Sequence, residues 1–314
     1  MTVSTRPIAA LTGATGFLGA QLVQSLDAAG FQVRALARRE PSPPGWGEAR
    51  PQIVSGDLSD DAALQRLTDG AEVVVHCAGA IRAPDLAGFL AINRDGTDRL
   101  ARLAQDSRFL LVSSLAARAP EISAYAASKR AAESVAAQII PPERLTIVRP
   151  PAIYGPGDRE TLTLFQAAAM LPVLPVLSGQ ARMSLVHVED AACHISALAA
   201  RQPIGATYTL ADDRPEGYGW REVLGALGKS VGKTPILANF PPGALGFLTS
   251  VSGLLSRVNG RPPLLSADKA RELLHLDWAV RKDELAPDLP PARYGLEAGF
   301  ASTASWYRVA GWLR

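Results

Sequence analysis

The sequence predicts an α/β fold, a doubly wound parallel sheet with a smaller mixed lobe toward the carboxyl terminus. Three observations predict it. An apolar segment near the amino terminus runs straight into a glycine-punctuated turn and then into a segment of helical spacing. Several more short apolar runs follow, ending in small or polar residues. A serine, a tyrosine and a lysine then stand at a spacing that suits proton transfer beside such a sheet.

Residues 7–12 are short and largely apolar, as a strand buried on both faces should be. They lead into Gly13, Ala14, Thr15, Gly16, Phe17, Leu18 and Gly19, and residues 20–26 have helical spacing. Strand, glycine turn and helix in that order form a dinucleotide-binding fingerprint of the Rossmann kind. The glycines permit a tight turn and let backbone N–H groups and the helix N-terminus approach a pyrophosphate. The spacing is Gly-x-x-Gly-x-x-Gly rather than the Gly-x-Gly-x-x-Gly of typical dehydrogenases. Gly30 ends the helix, and residues 31–37 read as the second strand. An Asp or Glu at this strand's end would hold the ribose 2′-hydroxyl of NAD. Ala37 stands there instead, followed by Arg38 and Arg39, whose guanidinium groups suit the 2′-phosphate of NADP. NADP is the expected cofactor. NAD stays open, because Glu40 could supply the missing acid from further along the chain.

Residues 52–58 end in Gly56, Asp57 and Leu58, a pair of side chains suited to the adenine edge. Residues 72–80 end in Ala78, Gly79 and Ala80, small enough for a cofactor to pass closely, and residues 109–112 deliver Ser113 and Ser114. Ligands of open parallel sheets bind outside the carboxyl ends of the strands, where all of these features fall. Eleven residues after Ser114 comes Tyr125, with Lys129 four residues further on. The chain has five lysines against twenty-seven arginines, and Lys129 is the only lysine among the first 228 residues. Arginine stays charged at any working pH, whereas a lysine can join a proton relay. On a helix Tyr125 and Lys129 share one face, a turn apart. The ammonium is expected to favour the phenolate and pull the tyrosine pKa down toward neutrality, giving a usable general acid/base.

These residues resemble the extended short-chain dehydrogenase/reductase family, also called the NAD-dependent epimerase/dehydratase family. The resemblance rests on residues 12–19, Gly56-Asp57-Leu58, His76-Cys77-Ala78-Gly79, Asn93 with Gly96-Thr97, Val112-Ser113-Ser114 and Tyr125-x-x-x-Lys129. It continues through residues 149–158 and 186–190, and more loosely through the carboxyl-terminal third. It implies that Tyr125 is the general acid/base. Lys129 would lower its pKa and bond the nicotinamide ribose, and Ser114 would orient and polarise the reacting oxygen. Ser114 is preferred to Ser113 because the second serine of such pairs usually carries this role. Gly13, Thr15, Gly16, Phe17, Leu18 and Gly19 would hold the pyrophosphate, and Asp57 and Leu58 the adenine. Ala78 and Gly79 would line the cofactor's path, with Pro150 and Ile153 beside the nicotinamide. The implied step is hydride transfer between nicotinamide C4 and a carbon bearing oxygen. Dimerisation through helices beside the active site is common in the family, and a homodimer is left open here.

The chain has 314 residues, 47% of them hydrophobic, enough for one large core and a smaller lobe. Residues 1–160 are expected to form the dinucleotide-binding domain, with 183–210 returning to it. Residues 161–182 and 211–314 would form the substrate lobe. A formal charge of +2 gives no reason to expect nucleic acid as a partner. Cys77 and Cys193 are too few for a disulfide framework, and no Cys/His cluster has metal-ligand spacing. The glycines at 13, 16 and 19 interrupt any signal-peptide core, so a cytoplasmic location is expected. Loops are expected at 40–51, 172–179 and 287–291. Residues 243–258 carry an apolar helical face too short and too rich in Ser and Gly to span a bilayer, which suits a lid, a dimer contact or a core helix better than an interfacial anchor.

The leading expectation is an NADP-dependent reductase of a carbonyl substrate, equally a secondary-alcohol dehydrogenase. The run Thr303, Trp306, Tyr307, Arg308, Gly311, Trp312 also resembles reductase and sterol-type members. The alternative is a nucleotide-sugar epimerase with tightly held NAD. Many of those grip the substrate's pyrophosphate with an arginine four residues before the position of His187, where this chain has Met183, with Arg182 one residue earlier. Leu115 and Ala116 after Ser114 lack the acid typical of dehydratases. A third alternative is a non-catalytic NADP-binding sensor or scaffold, whose relatives typically lose the Tyr or the Lys.

Overall fold

The structure is a computed structural model that describes residues 6–39, 46–239 and 267–313. The apolar face expected at 243–258 lies outside the described residues, as does Glu40. Seven parallel strands form the main sheet: β1 (Ile8–Thr12), β2 (Gln32–Ala37), β3 (Gln52–Ser55), β4 (Val73–His76), β5 (Arg108–Val112), β6 (Leu145–Arg149) and β11 (Thr207–Thr209). Their spatial order is β11-β6-β5-β4-β1-β2-β3. The order therefore reverses between β1 and β4, and such a reversal opens a crevice at the strand carboxyl ends.

Alternation along each strand sends side chains to two separate cores. Ala9, Leu11, Val73, Val75 and Leu110 face α1 (Phe17–Ala28) and α6 (Val188–Ala199). Ala10, Val74, Phe109 and Leu111 face α2 (Asp61–Thr68), α3 (Leu86–Leu103) and α4 (Ala124–Ile139). Both faces are covered, so the strands read as continuous apolar runs in the sequence.

A third core joins Tyr154, at the end of β7 (Ala152–Tyr154), to α5 (Leu162–Met170), α7 (Trp220–Ser230) and α9 (Leu296–Val309). β7 pairs in parallel with β10 (Leu185–His187) outside the main sheet. One expected loop is a strand. Within 172–179, β8 (Val173–Val176) pairs in parallel with β13 (Ile236–Asn239). Leu174 and Val176 turn into the third core while Val173 and Pro175 point outward, a period of two. Pro175 is tolerated because β8 has a single partner strand among the described residues, so its missing N–H can face away from the ladder. β9 (Arg182–Met183) joins β12 (Tyr218–Gly219) and β14 (Asp277–Trp278) in a small sheet, preceded in the chain by α8 (Ala267–Leu274).

Candidate active site

The glycine turn sits where β1 gives way to α1. Gly13 has φ +79°, and a Cβ there would lie 2.7 Å from the amide nitrogen of Ala78. The chain leaving β4 thus crosses directly over the turn. A Cβ on Gly19 would lie 1.9 Å from the Gly13 carbonyl oxygen, so this position closes the helix against the turn. Gly16 is the N-cap of α1, has no side chain to cap the helix, and the first turn carries no acid. Thr15 and Gly16 are exposed, Phe17 is half-buried and Leu18 is buried. The first-turn amides of such a helix have no intrahelical partner and carry the positive end of its dipole. This cradle fits a pyrophosphate. Buried Trp46 braces it from outside by donating its indole N–H to the Ala14 carbonyl at 3.0 Å.

Asp57 follows β3 and accepts from the Ser59 hydroxyl at 2.6 Å and the Ser59 amide at 2.8 Å. The Ser59 bonds, with Arg38 and Arg99 nearby, hold its carboxyl below the usual carboxylate range. Arg38 and Arg39 are exposed at the end of β2. Neither makes a hydrogen bond or ion pair with another side chain among the described residues. Leu58 packs on Gly96 of α3, where a Cβ would lie 2.8 Å from Leu58 Cδ1.

Behind this crevice a chain of hydrogen bonds ties three elements together. The Ala78 amide donates to Thr12 Oγ1 at 3.1 Å, and Thr12 Oγ1 lies 2.7 Å from His76 Nδ1. His76 Nε2 lies 3.0 Å from Thr97 Oγ1, whose proton goes to the Asn93 carbonyl. These roles place the ring proton on Nε2 and keep the ring neutral, and burial pushes its pKa down to about 3. Asn93 is buried in mid-helix. Its amide group accepts from the Ala80 amide at 2.7 Å and donates to the Ala80 carbonyl and to Ser128 Oγ. It thereby fixes the small-residue segment through half-buried Ala78 and exposed Gly79.

Ser114, Tyr125 and Lys129 come together at the carboxyl end of β5. Ser114 caps the short 3-10 turn Leu115–Arg118, and its hydroxyl is hydrogen-bonded to Tyr125. The neighbouring Ser113 hydroxyl instead donates to Glu133 at 2.6 Å. The Lys129 ammonium donates to the Val112 carbonyl at 2.9 Å, and a Cβ on Gly79 would lie 3.5 Å from it. Burial brings Lys129 down to about 8. The expected lowering of the Tyr125 pKa is corrected here. Burial pushes it up, the Ser114 bond pulls it back in part, and the Glu272 carboxylate adds to the rise. The largest cause is that the phenol loses its water on burial, which disfavours the phenolate. The ring edge of Tyr125 meets Phe89 with centroids 6.0 Å apart.

Glu133, one turn beyond Lys129, forms a buried two-pronged pair with Arg149, at 2.8 and 2.6 Å. It locks the ends of β5 and β6 to α4. Pro150 follows buried, its carbonyl accepting from the Leu115 amide at 2.8 Å, and half-buried Ile153 lies on β7. Cys77 is half-buried, and burial pushes its thiol up to about 12. His187 is fully buried, stacks on Tyr294 with centroids 3.9 Å apart, and is pushed down to about 4. Arg182 is engaged by Glu222 at 3.2 Å.

Some of these residues lay outside the sequence reading. Trp46 stands inside an expected loop, and Arg99 and Glu133 carry no local motif. A signal for Glu133 existed, since it continues the i, i+4 row of Tyr125 and Lys129 by another turn. Asn93, by contrast, was already among the residues that carry the family resemblance. Among the described residues no group of three or more His, Cys, Asp or Glu side chains could hold a metal ion, and no helix is long and apolar enough to cross a membrane.

Comparison with known proteins places this geometry in context. The sequence profile of the NAD dependent epimerase/dehydratase family matches residues 9–211. The chain is 47% identical over 316 residues to a ceramide reductase of Caulobacter vibrioides, covering 100% of this chain and 98% of that protein. It is 30% identical over 232 residues to the mitochondrial NADH dehydrogenase [ubiquinone] 1 alpha subcomplex subunit 9 of Dictyostelium discoideum, covering 71% of this chain and 64% of that protein. Among solved structures, the Thermus thermophilus UDP-glucose 4-epimerase in complex with NAD superposes with a TM-score of 0.69 at 21% identity, covering 96% of this chain and 99% of that one.

Proposed function

Because the chain belongs to the NAD dependent epimerase/dehydratase family, we propose that it is an NADP-dependent oxidoreductase that reduces a ketone on a ceramide-like lipid to a secondary alcohol. The observation that carries the reading is the half-buried Tyr125 phenol, bonded to Ser114 and held in its protonated form. A phenol that keeps its proton is the species a carbonyl reduction consumes. The substrate class comes from the likeness to the Caulobacter reductase along the whole chain.

In this reading Ser114 and Tyr125 bond the carbonyl oxygen and polarise it. A reduced nicotinamide held in this crevice would supply the hydride that the carbonyl carbon receives. The carbonyl π pair moves onto oxygen and takes the Tyr125 proton, leaving a secondary alcohol and a phenolate. Lys129 lies one helical turn away and lowers the energy of that phenolate, which recovers its proton from solvent. Gly13, Thr15, Gly16, Phe17, Leu18 and Gly19 hold the pyrophosphate, Asp57 and Leu58 the adenine, and Ala78, Gly79, Pro150 and Ile153 the nicotinamide end. Arg38 and Arg39 clamp the 2′-phosphate, and Arg99 adds a third cation beside Asp57. Residues 161–182 and the described residues of 211–314 cover the substrate. The Dictyostelium relative is named as a subunit of a larger assembly. The presence here of Ser114, Tyr125 and Lys129 in one place favours turnover over a scaffold role.

The test is steady-state oxidation of NADPH and NADH in the presence of a 3-oxo ceramide, by the wild type and by Arg38→Ala. The expected result is turnover that favours NADPH, with the preference reduced by about tenfold or more in the variant, the loss of one charged hydrogen-bonded contact. Turnover absent with either cofactor removes the substrate assignment. An unchanged cofactor ratio removes the phosphate clamp.

A further inference from the structure

The residues just before Tyr125 are held by a helix from far along the chain. α8 lies in the carboxyl-terminal part, yet three of its polar side chains are spent on the start of α4. Glu272 Oε1 accepts from the Ser123 hydroxyl at 2.6 Å. Asp268 Oδ2 accepts from the Ala124 amide at 2.9 Å. Arg271 Nε donates to the Ile122 carbonyl at 2.8 Å. These contacts fall on three consecutive residues, and the next one is Tyr125.

Ser123 is the joint. As the N-cap of α4 its hydroxyl accepts from the Ala126 amide at 3.0 Å while donating to Glu272. Asp268 satisfies one of the orphan amides that every helix N-terminus leaves open. The far side of the clamp is anchored as well. Trp278 Nε1 donates to the Glu272 carbonyl at 2.8 Å, and Arg118, in the turn after Ser114, donates to the Asp277 and Ala279 carbonyls at 2.6 and 2.9 Å. The serine turn, the tyrosine helix and the α8–β14 segment are therefore tied to one another by hydrogen bonds.

We propose that Asp268 and Glu272 are positioning residues for Tyr125, through which the carboxyl-terminal part of the chain sets the place and the surroundings of the phenol. The proposal deepens the reading of Tyr125 as the proton donor and rests on it. Two effects are combined. The hydrogen bonds fix the first turn of α4, on which the phenol is carried. The charge acts separately, since a carboxylate near the phenol opposes phenolate formation. The groups around Tyr125 are Lys129 on its own helix, Ser114 after β5, Cys77 after β4, Phe89 on α3, and Asp268 and Glu272 on α8. Cys77 stays neutral, so the charged groups at this junction are Lys129, Glu272 with its partner Lys269, and Asp268 with its partner Arg271.

Two pairs of variants separate these effects. Asp268→Ala/Glu272→Ala removes contacts and charge, whereas Asp268→Asn/Glu272→Gln keeps an oxygen acceptor at each site and removes only the charge. The first readout needs no substrate. Ultraviolet titration of tyrosinate, each protein minus its Tyr125→Phe counterpart, isolates the ionisation of Tyr125. The Asn/Gln variant is expected to ionise Tyr125 at a pH lower by roughly half a unit or more. The second readout is turnover of a 3-oxo ceramide with NADPH. The Ala/Ala variant is expected to lose kcat by about tenfold or more while NADPH binding stays within about twofold, and the Asn/Gln variant to recover most of it. An unmoved Tyr125 titration in the Asn/Gln variant overturns the electrostatic half, and wild-type kcat in the Ala/Ala variant overturns the positional half. Should Ala/Ala fail to fold, the Asn/Gln titration decides alone. Full activity in Tyr125→Phe itself would instead sink the underlying assignment of the proton donor.

Discussion

Tyr125 differs from a surface tyrosine by its partial burial and its bond to Ser114. Burial sets the direction of its pKa, because a phenolate in a poorly hydrated site loses more solvation than one nearby ammonium returns. At neutral pH the side chain is a phenol, ready to give a proton. Tyr125→Phe keeps the ring, its edge contact with Phe89 and the helix, and loses only the oxygen. It is expected to cut ketone reduction by about 100-fold or more, the usual worth of a positioned proton donor, with NADPH binding retained. Stopped-flow measurement of NADPH oxidation beside equilibrium NADPH titration checks both halves. At this scale the sequence was informative about identity and silent about state. A lone lysine in an arginine-rich chain marked the pair, but nothing local to it announced Glu272, which reaches Ser123 only through the fold.

At the scale of elements, the β1–turn–α1 unit is where sequence and structure agree in detail, since each glycine has its own geometric reason. Gly13 accepts a positive φ beneath the Ala78 amide, and Gly19 lets the helix close on the turn. Gly19→Ala forces backbone apart rather than a flexible side chain, because its Cβ would fall 1.9 Å from the Gly13 oxygen. Overpacking of this kind costs about 1–3 kcal/mol, so the thermal midpoint should drop and NADPH affinity should fall with it. A Gly19→Ala protein with wild-type melting and binding would show that the turn does not set the cradle. α4 shows the complementary case. Tyr125, Lys129 and Glu133 rise along one face, and the last of them ties in Ser113 and Arg149. β8 was misread as a loop because its proline and short length look like turn chemistry, while its true signal was the two buried positions facing the third core.

Over the whole molecule, buried His76, His187 and His194 give the fold a defined response to acid, burial lowering the pKa of each. Burial holds His76 at about 3 and His187 at about 4, against 6.5 for a free ring. Below about pH 6.5 the unfolded chain binds protons at these rings and the folded chain does not. Their contribution is therefore whole above that pH and is lost as the pH falls toward 4, by up to about 1.4 kcal/mol per pH unit for each ring. Urea unfolding at about pH 7.5 and about pH 5 should show a clearly lower midpoint at the acidic value. Asp212, raised to about 6 by burial, shifts stability the opposite way over this range. The same comparison in His76→Gln therefore isolates the ring, and an unchanged pH dependence in that variant would mean that His76 is not buried neutral. The loss would also reach the site, because His76 links β1, β4 and α3 behind the cofactor crevice.

The sequence by itself determined the parallel sheet and the glycine turn, and it marked a serine pair, Tyr125 and Lys129 as the residues of the proposed site. Each of these depends on residues close together in the chain: apolar runs of strand length, glycines at fixed offsets, and side chains one helical turn apart. Only the tertiary structure decided which serine faces Tyr125, that Glu133 and Arg149 lock the strand ends, and that α8 caps the tyrosine helix. Those are contacts between residues distant in sequence. They also set the proton affinity of Tyr125, because burial and the field of a remote carboxylate act through space and leave no pattern along the chain.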